Sequence, residues 1–363
     1  MNVASNGITE KSRTVAVFGA SGHTGRFVIA ELLRRGLAPL AVARDSGKLE
    51  ALGLKDRGGL TARATIDDPV SLDRAFANAA AVINCAGPFL DTANAVATAA
   101  IRSRIHYLDV TAEQPSAQAT FETFDSAARK TGTMVLPATA FYGGLSDLLA
   151  TAAVADWDFV DEMRIGIGLD SWHPTLGTRI TGHRNTARRL MVVEGRLQLL
   201  PQPAPEISWD FPEPLGRQDV IELSFSEIVL INQHLRVGNL HTYINQAPLR
   251  DLRDPNTPPP VAADETGRSS QRFLVEVIAR RGDEVRRAIA RGRDIYAVSA
   301  PLVCEAAERI LRREVHAVGA HSPGELFDAN EFLQALTPNH LTFQVITHWP
   351  SMESLSRADQ RKQ

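Results

Sequence analysis

The sequence predicts an α/β protein in which an N-terminal doubly wound parallel sheet is followed by a second α+β domain with a mixed or antiparallel sheet. Three observations carry this. From Thr14 to about Ala140, short apolar runs alternate with longer amphipathic stretches, the pattern of βαβ units. Beyond Phe141-Tyr142-Gly143-Gly144 the rhythm changes to longer alternating segments of antiparallel character. The chain has 363 residues, more than a single core usually serves.

Thr14 to Phe18 is the first expected strand, all apolar after its first residue. A helix follows over Gly25 to Arg35, with Phe27, Val28, Leu32 and Leu33 apolar and Gly36 placed to end it. Leu40 to Ala43, Ala81 to Cys85, Tyr107 to Val110 and Met134 to Leu136 are further strands, and Ala93 to Arg104 an Ala-rich helix. A helix is expected over Leu145 to Val154. The proline-rich stretches Pro201 to Pro214 and Asp251 to Pro260 are expected loops.

Phe273 to Ala279 and Val285 to Ala290 form an expected hairpin whose Arg286, Arg287, Arg291 and Arg293 lie on a solvated strand face, and a helix over Pro301 to Arg313 follows. Ser322-Pro323-Gly324-Glu325 has the form of a capping box opening a helix toward Leu336. The expected organisation is a leader over 1–13, a nucleotide-binding domain over 14–142, a substrate and oligomerisation domain over 143–347 and a polar tail over 348–363. A C-terminal segment has room to pack back on the first domain.

With a formal net charge of -3, the chain has no global positive field to attract nucleic acid. No run of 18 apolar residues is present, so no stable membrane insertion is expected, and the polar first thirteen residues lack a signal-peptide core. Cys85 and Cys304 stand alone, without disulfide or zinc spacing. A cytoplasmic location and a small-molecule substrate fit this balance. The Ala-rich helices and antiparallel strands of the second half make a homodimer an expectation.

Gly19-Ala20-Ser21-Gly22-His23-Thr24-Gly25 lies between the first strand and the first helix. There the chain turns tightly and offers backbone N–H groups to a pyrophosphate, the signature of a Rossmann-type nucleotide site. Gly19, Gly22 and Gly25 allow the close approach, His23 lies in the turn, Ser21 and Thr24 add hydroxyls, and Arg26 adds a cation. About twenty residues on, where an NAD site places an acid on the ribose, the chain has Ala43-Arg44. Arg44, with Lys48 as a second cation, suits a 2′-phosphate and therefore NADP(H). Asp45 is the alternative, as a displaced ribose ligand. Ala86, Gly87 and Pro88 let the backbone approach the ring end of the cofactor.

Val15 to Arg26, Ala43-Arg44 with Lys48-Leu49, Val82 to Phe89, and His106-Tyr107-Leu108-Asp109-Val110-Thr111-Ala112-Glu113 occur in an order that resembles the saccharopine dehydrogenase-like NADP-binding oxidoreductases. The resemblance covers roughly residues 14 to 140 and implies NADP(H) and reductase chemistry. Ala140 to Asp147 departs from the family's G-F-D-x-x-P-x-D pattern, keeping only Phe141 and Asp147.

For the proton that accompanies hydride delivery, the candidates are His106, Tyr107, Asp109 and Glu113. From the second domain, His173, Thr178, His183 and Arg184 are candidate substrate contacts, with Arg184 suited to a carboxylate. The spacing of the two histidines supports no metal site. The function expected is an NADPH-dependent reductase acting on a C=N, C=O or activated C=C bond. The alternatives are a non-catalytic NADP(H) sensor or scaffold, since no Tyr-x-x-x-Lys is present, and a cofactor-assisted isomerase.

Overall fold

A computed structural model describes residues 13–349. Of the expected polar tail, positions 348 and 349 end the last strand; the rest, like leader residues 1–12, lies outside the described residues.

The first sheet is built from β1 (Thr14–Phe18), β2 (Ala38–Ala43), β3 (Leu60–Arg63), β4 (Ala81–Asn84), β5 (His106–Asp109) and β6 (Met134–Leu136), all parallel, in the order β6-β5-β4-β1-β2-β3. Its helices are α1 (His23–Arg34), α2 (Ser46–Glu50), α3 (Pro69–Phe76), α4 (Phe89–Ser103) and α5 (Gln114–Thr131). Strand order reverses between β1 and β4, which is where such a sheet opens a crevice at its carboxyl edge. β1 is buried at all five positions, as a strand covered on both faces must be. Gly36, at φ +70, ends α1 as expected, its N–H donating to Leu33 O.

The second layer runs α6 (Ser146–Val154), β7 (Val160–Leu169), α7 (Leu176–Arg184), β8 (Leu190–Val193), β9 (Arg196–Leu199), β10 (Glu206–Asp210), β11 (Arg217–Glu222), α8 (Glu227–His234), β12 (Val237–Asn245), α9 (Gln246–Arg253), β13 (Arg272–Arg281), β14 (Glu284–Arg293) and α10 (Ser299–Leu311). After α10 come β15 (Gly319–Ala320), α11 (Pro323–Leu326), α12 (Ala329–Ala335) and β16 (Leu341–Trp349). The sheet order is β10-β11-β12-β7-β13-β14-β16, with the β8–β9 hairpin attached to β12; only β12 and β7 pair in parallel, so the sheet is mixed. β15 returns to the first sheet and lies parallel to β6, making that sheet seven-stranded. α10 packs across α1.

Four local expectations are corrected. The stretch Pro201 to Pro214 is not all loop: β10 forms within it because Trp209 and Phe211 close over Gly166 and Gly168, where a side chain would collide with their rings or with Leu215. α9 extends to Arg253, into the expected loop over Asp251 to Pro260. A helix does begin after Ser322 with Pro323 at its first position, but the Ser322 side chain makes no capping bond, α11 ends at Leu326, and Asp328 begins α12 by accepting from Glu331 N at 2.9 Å. Arg286 and Arg287 are not solvated. Both side chains are nearly buried, Arg286 pairing with Asp156 and Arg287 with Glu276.

Candidate functional site

Gly19, at φ +82, carries the chain from β1 into the turn, and a Cβ there would stand 2.9 Å from Ala86. At Gly25 a Cβ would come within 2.4 Å of Gly19 O, so α1 rests directly on the turn's backbone. Gly22 is the N-cap of α1 and supplies no side chain to its first-turn amides. Those amides, unused within the helix, point at the crevice with the positive end of the helix dipole. Ser21 and Thr24 are half-buried beside them, and Arg26 is exposed. The His23 ring is wedged edge-on between Phe27 and Tyr296, at 5.3 and 5.4 Å, and its Nε2 is buried without a partner. Burial lowers its pKa. In the turn its side chain therefore acts as a neutral contact to the second layer.

At the end of β2, Arg44 and Lys48 are exposed. Asp45 is committed elsewhere, its carboxylate accepting from Lys48 N at 3.1 Å as the N-cap of α2. Arg63, at the end of β3, donates through Nε to Arg44 O at 3.0 Å and brings a third exposed cation to this corner. Sequence reasoning missed Arg63 because its strand is short and half-exposed, with little hydrophobic signal.

The ring-end loop is held from beneath. Asn84, fully buried, accepts from Ala86 N at 3.0 Å and donates to Thr92 Oγ1, which donates in turn to Ala86 O at 2.6 Å. The Gly87-Pro88 peptide is cis. Glu113 accepts from Phe89 N at 2.7 Å and Leu90 N at 3.4 Å, so its carboxylate holds the N-terminus of α4. Burial pushes its pKa up.

Asp109 is enclosed one layer below. It accepts from Ala138 N at 2.8 Å, Thr111 N at 3.0 Å and the Tyr107 hydroxyl at 2.9 Å. Burial outweighs these bonds and pushes its carboxyl up to about 6. Of the four proton-transfer candidates, the structure thus brings Glu113 to the ring-end loop and keeps Tyr107 and Asp109 beneath it. His106 is separated from them. It begins β5 at the amino edge of the sheet, its Nδ1 accepts from Met134 N at 3.1 Å, and burial lowers its pKa to about 4.

The second layer lays α7 across this edge: a Cβ on Gly87 would stand 2.9 Å from Thr181 Oγ1. Thr178 joins the site. Its hydroxyl meets Tyr296 Oη at 2.9 Å, and Tyr296 also accepts from Trp172 Nε1 at 3.1 Å. His173, His183 and Arg184 stay outside it. His173 faces Pro258 O on a surface loop, His183 is exposed, and Arg184 pairs with Asp91 at 2.9 Å on the surface.

Further in, Tyr142 stacks on Trp172 at 5.4 Å and lies against Phe225 at 4.2 Å, with its hydroxyl buried and unpartnered. Arg189 lies 5.1 Å over the Phe225 ring, and Glu227 is fully buried with Oε2 unpartnered. Burial raises the Glu227 pKa. Residues Arg189, Phe225 and Glu227 carried no sequence signal, being scattered between short elements. Among the described residues, no group of three His, Cys, Asp or Glu side chains could hold a metal ion. No helix among them is long and apolar enough to cross a membrane.

The fold and this crevice define a nucleotide-binding α/β protein with a second, mixed-sheet layer closing on the site. Residues 15–136 match the family model described as the saccharopine dehydrogenase NADP binding domain. The N-terminal region is therefore similar to the NADP-binding domain of saccharopine dehydrogenases, and the cofactor is NADP(H). A saccharopine dehydrogenase-like oxidoreductase of Rattus norvegicus is 29% identical over 153 residues, covering 37% of this chain and 35% of that one. A saccharopine dehydrogenase-like oxidoreductase of Arabidopsis thaliana is 25% identical over 147 residues, covering 35% and 31%. The match thus spans about a third of the length of either relative. The solved saccharopine dehydrogenase (L-Glu forming) of Saccharomyces cerevisiae superposes with a TM-score of 0.65 at 14% identity, over 92% of this chain and all of that one, which shows a shared fold.

Proposed function

We propose that this chain is an NADPH-dependent reductase that delivers hydride to a C=N, C=O or activated C=C bond of a small metabolite. The observation that carries the reading is the closure of the second layer on the cofactor edge, with Thr181 against Gly87 and Tyr296 against His23. Such a cover excludes water from a reacting bond and strengthens the electrostatic contacts around it.

Gly19, Ser21, Gly22, His23, Thr24 and Gly25 would hold the pyrophosphate through backbone amides and hydroxyls, with Arg26 adding charge at the rim. Arg44, Lys48 and Arg63 would hold the 2′-phosphate, and Ala86, Gly87 and Pro88 would border the ring. NADPH, when bound, supplies the hydride. Glu113 and the Tyr107–Asp109 pair position the loops on which the ring end rests, and Thr178 with Tyr296 lines the opposite wall. This division of labour places cofactor binding in residues 14–142 and the substrate side in 143–347.

Incubation with NADPH and a panel of imines, ketones and enoyl thioesters tests the reading. Substrate-dependent loss of nicotinamide absorbance is the expected result. Tight NADPH binding with no turnover across the panel makes the protein a sensor, and product without net NADPH loss makes it an isomerase.

A further inference from the structure

We propose that α7 is a lid over the ring end of the cofactor site and that the ion pair between Arg184 and Asp91 is its latch. The proposal goes beyond the reductase reading: it concerns how NADP(H) enters and leaves, and it holds equally for a protein that only binds the cofactor. None of the nine residues of α7 is buried. Its large apolar side chains, Leu176 and Ile180, are 74% and 46% exposed, so apolar burial does little to hold the helix on the protein. Gly177 and Gly182 weaken it further. A Cβ at Gly182 would enter open space, and one at Gly177 would meet only Thr175 Oγ1 at 3.6 Å, so neither glycine serves packing and both lower helix propensity.

Polar contacts hold the helix instead, and they fall into two sets. Within its own layer, Thr175 caps it by accepting from Thr178 N at 3.1 Å, Arg179 donates to Asp254 O and Thr257 O at 3.0 and 2.8 Å, and Thr178 meets Tyr296 Oη at 2.9 Å. Toward the nucleotide-binding domain, Thr181 lies over Gly87, and Arg184 pairs with Asp91 at 2.9 Å, its Nε donating to the same oxygen at 3.1 Å. Asp91 stands in the first turn of α4, directly after the ring-end loop. The first set fastens the helix to one side of the crevice, and the second closes it onto the other. Both partners of the pair are exposed, where water and salt compete with it, so it favours the closed position only slightly. A weak latch of this kind retains the cofactor between openings and still lets it exchange.

Hydrogen–deuterium exchange of the full-length protein tests the lid. NADP+ should slow exchange at the amides of 176–184 at least about threefold, while the β8–β9 hairpin that follows changes little. The latch is tested by the rate at which NADPH leaves its complex when chased with excess NADP+, followed by nicotinamide fluorescence. R184Q and D91N should each release NADPH about two- to fivefold faster, the worth of an exposed ion pair, and R184Q/D91N no faster than the quicker single variant, because all three break the same pair. The protection that NADP+ gives 176–184 should shrink in the same variants. Exchange of 176–184 that is unchanged by NADP+ in the parent overturns the lid whatever the release rates. Release that is unchanged in either single variant, or that is accelerated multiplicatively in the double one, overturns the latch.

Discussion

Arg44 and Asp45 are neighbours with opposite consequences for cofactor choice, and the hydrogen bonds at this corner separate them. Asp45 spends its carboxylate capping α2, while Arg44 stays exposed beside Lys48 and Arg63. A guanidinium can grip a phosphate with two parallel bonds, and NADH has no phosphate at that position. Arg44→Ala should therefore raise the NADPH dissociation constant at least tenfold, about 1.4 kcal/mol, and leave NADH binding nearly unchanged, as read by fluorescence titration with both cofactors. Equal losses would show that Arg44 contacts neither phosphate selectively. This residue was legible in the sequence because its distance from Gly25 is fixed by one helix and one strand. Arg189 was not, since it comes over the Phe225 ring only after the second layer has formed.

At the scale of elements, the glycine turn shows why a spacing pattern carries physical content. Gly25 has an ordinary helical backbone, so its conformation alone would admit alanine. The obstacle is contact: a methyl group there falls 2.4 Å from Gly19 O and 2.9 Å from Ala20 Cα, both backbone atoms that cannot swing aside. Gly25→Ala should cost about 1–3 kcal/mol, as overpacking does. It should also weaken NADPH binding, because α1 must shift away from the turn that its own amides complete. Urea denaturation and cofactor titration measure the two effects, and a variant with both unchanged would disprove the close packing. Strands with continuous apolar runs, such as β1 and β4, were legible element by element. The Ser322 capping box was not reliable, because a motif of two side chains says nothing of what surrounds them. In the fold Glu325 faces His321, and Asp147 accepts from Gly324 N at 2.6 Å.

At the scale of the whole molecule, the two layers are held together by charge as well as by apolar burial. Arg35, at the end of α1, has a side chain only 7% exposed and bonds Glu31 on its own helix together with Glu305 and Glu308 on α10. Nothing local in the sequence marks this cluster, whose members are some 270 residues apart. Burial alone would raise the Glu31 and Glu305 carboxyls. The hydrogen bonds to Glu31 from Arg34 and Arg35, and to Glu305 from Arg35 and Arg309, outweigh it and leave both below the ordinary value of 4.5. Groups with depressed folded pKa values contribute stability that is present above 4.5 and lost as pH falls through their folded values. Arg35→Met keeps the stem's packing and removes the charge that joins the two helices, leaving Glu31 with Arg34, Glu305 with Arg309 and Glu308 with Arg312. At pH 7 the loss should be about 1.5–3 kcal/mol, the worth of hydrogen bonds to a charged group, because each acid keeps one arginine. As pH is lowered toward 4 the carboxyls take up protons, so the gap between the variant and the parent should narrow. Denaturant melts of both proteins across that range give the comparison. A gap that stays constant with pH would mean that α10 is held on α1 by packing, with the ion cluster contributing nothing to the docking of the two layers.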